Sequence, residues 1–202
     1  MLETEVYYQQ LREVCKEYYD FSDKSFDAFK KICFVKNIKK GEILQDSYSP
    51  AKYIYFIYKG ILRTYFLNEN GAIYTKNLFS ENYFSASKVS LITKEDSYLN
   101  IDALEDSILI YIDFEGYKNL IDSNIEFKNF YINYLEKNWV IIKEKNEISL
   151  ILDDAKTRYE NFIQNNPDIE KRIPLHHIAN HLGITPTQLS RIRKKCKINI
   201  CK

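Results

Sequence analysis

The spacing of hydrophobic and polar residues changes twice along the chain. Up to residue 30, apolar residues recur at helical intervals, with Val6, Leu11 and Val14 in a first stretch and Phe26 and Phe29 in a second. From residue 33 onward, short runs rich in Tyr, Ile and Phe alternate with turns, as is typical of strands. After residue 123 the helical spacing returns. The pattern predicts N-terminal helices, a block of strands and a helical C-terminal part.

The block of strands shows no helical segment between its apolar runs. The runs are FVKNIKKGEIL, YIYFIYKGILRTYFL and AIYTKNLF, followed by a strand pair in YLNIDALED and SILIYIDF. Residues 68–71 (NENG) separate two of these runs and are typical of a hairpin turn. Several short strands in succession predict a compact antiparallel β-roll, and with the flanking helices the fold class is α+β.

A long helix with a wide apolar face is predicted over residues 124–148. Apolar residues on this face recur every seven positions. The stripe that they form is too broad for one small neighbour to cover. We expect one edge to pack on the roll and the other on a second subunit, with Trp139 in the core or the interface. The predicted dimer contacts are Phe127, Tyr131, Tyr134, Ile141 and Ile148. A second helix is predicted over LILDDAKTRYENFI, residues 150–163.

The segment HLGITPTQLSRIRKK, residues 181–195, predicts two short helices around a tight turn. Gly183 can adopt the left-handed conformation that ends the first helix. Thr185 suits the N-cap of the second helix, Pro186 its first position, and Gln188 completes a capping box. This spacing is that of a helix-turn-helix, whose second helix enters the major groove of DNA. The predicted DNA-contacting residues are Thr185, Thr187, Gln188, Ser190, Arg191, Arg193, Lys194 and Lys195.

The distribution of charge supports a polyanion-binding C-terminal part. The chain has 202 residues and a net charge of +1. Residues 171–202 nevertheless contain eight Lys or Arg and no Asp or Glu, which leaves 21 basic against 28 acidic residues in the first 170 positions. An acidic body with an acid-free basic end is typical of a protein that binds nucleic acid.

Several function classes find no support in the sequence. Apolar runs long enough to span a membrane are absent, and the N-terminal MLETEVYYQQ lacks the regions of a signal peptide, so we expect a cytoplasmic protein that does not bind membranes. The four cysteines are too dispersed for a structural metal or cluster site; they are Cys15, Cys33, Cys196 and Cys201. We find no catalytic triad, nucleotide-binding glycine loop or metal-ligand cluster, and expect a protein that is not an enzyme and holds no cofactor or metal.

The order of roll, long helix, short helix and helix-turn-helix resembles the Crp/Fnr family of bacterial transcription regulators. The residues most similar to the DNA-binding end of these regulators are KTRYENFIQNNPDIEKRIPLHHIANHLGITPTQLSRIRKK, and NIDALEDSILIYID looks like the closing strands of their effector domain. The resemblance implies a homodimer that binds an inverted-repeat operator in double-stranded DNA, RNA polymerase as partner, and a small-molecule effector in the roll. It also implies three parts: residues 1–123 (N-terminal helices and effector roll), 124–148 (dimerisation helix) and 149–202 (helix-turn-helix).

The chain departs from the cyclic AMP-binding members of that family. Their phosphate cassette contains glycine and Glu, whereas Ser80 precedes Glu81 here. The expected arginine falls near Ser97 in the stretch EDSYLN, which contains no basic residue. A cyclic phosphate would lose its bidentate partner, so we expect no response to cyclic AMP. The positions that would form the effector pocket are Ser80, Glu81, Asn82, Tyr83, Ser97 and Tyr98.

Further departures leave the effector open. The roll has no histidine to ligate haem, and Cys15 and Cys33 cannot supply the four ligands of an oxygen-sensing cluster. Only seven residues follow Lys195, so the β-hairpin wing of the family is expected to be truncated. The alternative hypothesis is a small-molecule-binding or enzymatic β-roll whose C-terminal tail is only structural.

Overall fold

The computed structural model describes residues 2–68 and 70–200. Two helices, α1 (Leu2–Lys16) and α2 (Asp23–Lys30), precede eight strands, and a short helix, α3 (Lys88–Thr93), lies between the sixth and the seventh strand. The strands are β1 (Cys33–Ile38), β2 (Ile43–Gln45), β3 (Tyr53–Lys59), β4 (Leu62–Leu67), β5 (Ile73–Phe79), β6 (Phe84–Ser85), β7 (Asn100–Ala103) and β8 (Ser107–Asp113).

The strands form two antiparallel four-stranded sheets that face each other. The strand orders are β1-β8-β3-β6 and β2-β7-β4-β5. Between the sheets lies a core of alternate inward-facing residues, among them Tyr55, Ile57 and Leu109. The α+β fold class with an antiparallel roll is therefore confirmed.

Several details of the predicted strands were wrong. The helix α3 lies between β6 and β7, where no helical segment was predicted, because its six residues are too few to show a helical period. The run FVKNIKKGEIL divides into β1 and β2, which lie in different sheets. The run YIYFIYKGILRTYFL splits at Gly60 into β3 and β4, which lie in different sheets. Gly60 has a φ of 115°, and a Cβ there would lie 2.0 Å from Ser107 Oγ, so only glycine fits where the chain crosses between sheets. The predicted pair in residues 98–114 forms β7 and β8, but these strands pair with other strands because they too belong to opposite sheets. The predicted hairpin is present, with Leu67 opposite Ile73; Glu69 within its turn lies outside the described residues.

The C-terminal half is helical. It contains α4 (Phe114–Ser123), α5 (Ile125–Leu135), a π-helical segment (Glu136–Ile141), α6 (Ile142–Leu152), α7 (Ala155–Asn165), α8 (Ile169–Arg172), α9 (Leu175–His181) and α10 (Pro186–Ile200). The long helix thus runs to Leu152, and α7 begins five residues later than predicted. The cause is local, because Asp153 has extended backbone angles and Asp154 caps α7 by accepting a hydrogen bond from Thr157 N at 2.7 Å.

Two further cores attach the helices to the roll. An aromatic core joins α1, α2, α4 and α5 to the outer face of the first sheet, with Phe21 stacked on Phe127 at a centroid distance of 4.6 Å. A second core joins Ile61, Leu78 and Leu104 of the roll to apolar residues of the C-terminal helices. The C-terminal helices therefore pack on the roll of their own subunit.

Within the described residues, no strand follows α10, and Cys201 and Lys202 lie outside them. No helix in the described part of the chain is long and apolar enough to cross a membrane. No group of three or more potential metal ligands is present among the same residues.

Candidate functional site

The turn between α9 and α10 is built as the sequence predicts. Gly183 has a φ of 68°, and Ile184 N donates to Ala179 O at 3.0 Å, which closes the end of α9. Thr185 and Gln188 form a reciprocal capping box: Thr185 N donates to Gln188 Oε1 at 2.9 Å, and Gln188 N donates to Thr185 Oγ1 at 3.1 Å. The start of α10 is therefore fixed by its own side chains.

The helix pair has one buried and one exposed face. Ala179, Leu182 and Leu189 lie in the core of the C-terminal helices, where the small Ala179 allows close approach. Because the inner face of α10 is committed to this core, the opposite face is left in solvent. The exposed residues of that face are Thr187, Ser190, Arg191, Lys194 and Lys195. The structure thus brings five of the eight predicted DNA-contacting residues to one free surface.

The other three predicted contacts have partners within the protein. Thr185 and Gln188 cap α10, although both remain exposed. Arg193 is different, since its Nε lies 2.9 Å from Glu170 Oε1 and its side chain is only 25% exposed. The same Glu170 oxygen accepts a hydrogen bond from Tyr159 at 2.7 Å. Arg193 therefore links α10 to α8 directly, and to α7 through Glu170.

An ion-pair network joins α8 to the roll. Arg172 donates to both carboxylate oxygens of Glu81, at 2.8 and 2.6 Å, and also to Glu105. Glu81 accepts a further hydrogen bond from Gly60 N at 2.8 Å. Burial opposes ionisation of Glu81, but Arg172 and Gly60 N together lower its pKa. The network thus holds α8 against the turn at Gly60, where the chain passes from one sheet of the roll to the other.

A second polar contact between α9 and the roll surrounds His177. Arg63 forms a buried ion pair with Asp102, with Nε and Oδ1 3.0 Å apart, and Arg63 Nη1 lies 3.3 Å from His177 Nδ1. Burial, followed by the charges of His176 and Arg63, lowers the pKa of His177 to about 4. His177 is thus neutral near pH 7 and can accept the guanidinium hydrogen bond. Nearby, His181 Nδ1 lies 3.1 Å from Lys76 O, to which it can donate.

These interdomain contacts were not predicted, although the sequence carries one signal for them. The apolar run YIYFIYKGILRTYFL contains one charged residue after Lys59, namely Arg63. A charge that is buried in a strand requires a partner. The partners Asp102 and His177 are 39 and 114 positions away, and nothing in the local pattern identifies them.

The residues predicted to form the effector pocket have separate hydrogen-bond partners. Ser97 is buried, and its hydroxyl contacts Ser87 Oγ at 2.7 Å and Leu99 O at 2.6 Å. Glu81 instead faces Gly60 and Arg172. Among the contacts of the described residues, none joins these two groups. The remaining predicted positions are Ser80, which is half-buried, Asn82, which accepts a hydrogen bond from Gln10, and the exposed Tyr83 and Tyr98.

The predicted dimer residues divide along the helix. Phe127 has no exposed surface, because it packs against α1, α2 and α4 of its own subunit. Tyr131 and Tyr134 are partly buried against the same core. Ile141 and Ile148 are half-exposed, at 51% and 49%. Of the five predicted dimer residues, the two that lie C-terminal to the aromatic core are thus the ones with the most exposed apolar surface.

The comparisons with known proteins agree with this architecture. Residues 35–124 match the family model of the cyclic nucleotide-binding domain. Comparison with curated proteins gives no match. Solved structures with the same fold include a protein assigned to the Crp/Fnr family of transcriptional regulators from Eubacterium rectale. It is 19% identical with a TM-score of 0.65, and the match covers 89% of this chain and 85% of that one.

Two further solved structures extend the similarity. FixK2 from Bradyrhizobium japonicum is 15% identical with a TM-score of 0.65, covering 83% of this chain and 86% of that one. The catabolite activator protein of Thermus thermophilus is 15% identical with a TM-score of 0.54, covering 90% and 86%. The TM-scores establish a shared fold, and at these identities they establish the fold alone. The similarity extends over the roll and the helices that follow it.

Proposed function

The chain has the fold of the Crp/Fnr transcriptional regulators, and we propose that it acts as one, as a homodimer that binds double-stranded DNA in a sequence-specific manner. The observation that carries this proposal is the free face of α10. Its start is fixed by the capping box of Thr185 and Gln188, and the exposed Arg191, Lys194 and Lys195 supply positive charge with no acidic residue after Glu170. A positioned helix with a cationic face suits the major groove between two phosphate backbones.

The apolar surface beyond the aromatic core supports the homodimer. Ile141, Ile148 and Ile151 are 51%, 49% and 82% exposed, and Leu150 and Leu152 are more than half exposed as well. Ile141, Ile148, Ile151 and Leu152 lie on one side of the helix, where a second copy of α6 would bury them in a parallel seam. Two-fold symmetry would place two α10 helices about one turn of DNA apart, so the operator would be an inverted repeat.

The contacts of the C-terminal helices with the roll support control by the roll. Arg172 and His177 bind side chains of the roll directly, so a change in the roll would be transmitted to α8 and α9. We infer that cyclic AMP is not the signal, because Ser97 offers a phosphate no cation and its hydroxyl is already bonded. RNA polymerase is the partner that transcription control implies.

Selection of bound DNA from a random duplex pool tests the proposal. The full chain should enrich sequences with dyad symmetry. Recovery of sequences without symmetry would contradict a two-fold dimer on DNA, and failure to enrich any sequence would contradict specific binding. An Arg191→Ala/Lys194→Ala variant, which alters only the exposed face of α10, is the matched control.

A further inference from the structure

A narrow apolar crevice lies outside the roll, between α3, the outer face of the first sheet and the dimerisation helix. Its volume is about 140 Å³. The floor includes Ile54 and Ile112, which are paired across β3 and β8 on the face opposite the roll interior. One wall is α3, and the other is formed by Tyr134 of α5 and Trp139 of the π-helical segment. This crevice is separate from the predicted pocket around Ser97 and Glu81, neither of which lines it.

Among the described residues, Lys88 is the one cationic side chain that lines this apolar space. Its ammonium group lies 4.4 Å from the centre of the Trp139 ring, and no acidic group contributes to its titration among the described residues. Burial, with a smaller contribution from Lys76, lowers the pKa of Lys88 to about 8. The contact with Trp139 compensates only weakly for lost hydration. Lys88 is therefore a half-buried cation without an anion.

We propose that this crevice binds a small apolar carboxylic acid, with its apolar body between Phe84, Leu91 and Trp139 and its carboxylate on Lys88. The volume matches one aromatic ring, since an apolar cavity of about 150 Å³ holds benzene. A carboxylate supplies the charge-assisted partner that Lys88 lacks, and an apolar body displaces water from the aromatic walls. An inorganic anion would leave the apolar walls of the crevice hydrated. A neutral arene would leave the ammonium group of Lys88 without an anionic partner.

The position of the crevice gives binding a route to the rest of the molecule. Trp139 lies in the π-helical segment that separates α5 from α6, and π-helical turns occur often at functional sites. A ligand between α3 and Trp139 would fix the angle at which α6 leaves the roll. The regulatory consequence rests on the proposed function, whereas binding itself does not require DNA or a dimer.

Fluorescence titration of the full chain tests the site directly, because Trp139 is the one tryptophan of the sequence. Phenylacetate is the probe, and 2-phenylethanol is its uncharged counterpart. We expect saturable quenching by both, with phenylacetate bound about tenfold or more tightly because only it pairs with the ammonium group. Absence of saturable quenching, or equal affinities for the acid and the alcohol, would overturn the proposal.

Two lysine variants separate the ion pair from general electrostatics. Lys88→Met should lose the preference for the acid and keep the affinity for the alcohol. Lys143→Met is the matched control, since Lys143 also faces Trp139, at 5.9 Å, but does not line the crevice. It should retain the preference. If Lys88→Met also retained it, Lys88 would not be the anion partner.

A third variant places the probe in the crevice. Ile92 lines the crevice and is 67% exposed, so Ile92→Glu is expected to fold normally. Its carboxylate should weaken phenylacetate binding about tenfold while changing alcohol binding little. Unchanged phenylacetate affinity would place the binding site elsewhere. Because these titrations use no DNA, their outcome is independent of whether the chain binds an operator.

Discussion

Arg172 in α8 forms a bidentate ion pair with Glu81 of the roll, with nitrogen–oxygen distances of 2.8 and 2.6 Å. The planar guanidinium matches the geometry of the Glu81 carboxylate. Nη2 of Arg172 also contacts a second carboxylate, that of Glu105. The three side chains are 25–29% exposed, so water screens the network only in part. The structure thus uses one arginine to join two regions that are 91 positions apart in the sequence.

Replacement of this arginine should loosen the C-terminal helices. We expect Arg172→Met to lower the free energy of unfolding by about 1–2 kcal/mol, because Glu81 and Glu105 lose their common partner while remaining partly buried. Urea denaturation measures the change. Lys171→Met is the control: Lys171 pairs with the nearby Asp168 and is 79% exposed, so its effect should stay within about 0.5 kcal/mol. Equal losses in the two variants would refute the role of Arg172.

The contact of His177 with Arg63 should make stability depend on pH. Burial lowers the pKa of His177 from 6.5 to about 4, so the folded state favours the neutral ring. The resulting stability is complete above about pH 6.5 and is lost as the pH falls through about 4, because protonation then costs more in the folded than in the unfolded chain. The neighbouring charges are Arg63, Lys40, His176 and, across the ion pair, Asp102.

Thermal unfolding at several pH values tests this dependence. The midpoint of His177→Gln should decline less than that of the wild type between about pH 6.5 and pH 4, since glutamine keeps a hydrogen-bonding side chain without titrating. The two proteins share all other acidic and basic groups, so the difference between their curves isolates His177. Parallel curves would show that His177 does not titrate with an altered pKa.

The dimer surface can be tested with one charge. Ile141 is 51% exposed at the end of the π-helical segment, and Ile141→Glu should convert the dimer to a monomer because a carboxylate would be buried in the seam. Ile125→Glu is the control at the far end of the helix, where Ile125 is 66% exposed. Sedimentation velocity should report a monomer for the first variant and a dimer for the second. A dimer for both would exclude this seam.

Cyclic AMP should not bind appreciably. Ser97 lies where a cation is expected, and its hydroxyl already contacts Ser87 and Leu99 in the protein interior. A cyclic phosphate would have to give up hydration without gaining a charged partner. Isothermal titration calorimetry with the full chain should show no saturable heat. Micromolar binding would show that the roll holds the phosphate through other residues.

The parts of the fold that the sequence predicted are those set by near neighbours. The capping box requires only Thr185 and Gln188, three positions apart, and the structure reproduces it in both directions. Periodicity likewise identified the long helix, but it could not say which neighbour covers each residue. Phe127 shares a heptad position with Ile141, yet one lies in the core of its own subunit and the other in solvent.

Contacts between residues distant in the sequence, and very short helices, could not be predicted from the local pattern of apolar and polar residues. The six residues of α3 are too few to show a helical period, so the placement of Lys88 against Trp139 was not predictable. Arg193 was predicted as a DNA contact because it is basic and lies on α10, but its ion pair with Glu170 depends on how α8 packs and could not be predicted. Arg193→Ala should accordingly reduce stability more than it alters the choice of DNA sequence.

Within the free face of α10, Arg191 should determine sequence preference and Lys194 should supply affinity. Arg191 lies one turn from the capped start of α10, and its guanidinium can contact guanine O6 and N7, which is worth about 1–3 kcal/mol of discrimination. Lys194 lies further along α10, where a helix inserted in the major groove would leave it and approach the phosphates. Loss of one phosphate contact should reduce the slope of log K against log salt concentration by about 0.9.

The most direct test of a sequence-specific regulator is the affinity of the wild type and these two variants for the selected operator and for a scrambled duplex, across salt concentrations. We expect Arg191→Ala to reduce the preference for the operator, and Lys194→Ala to weaken binding to both duplexes alike and to lower the salt slope. A wild type that binds both duplexes equally, or an Arg191→Ala variant that keeps its full preference for the operator, would contradict this expectation.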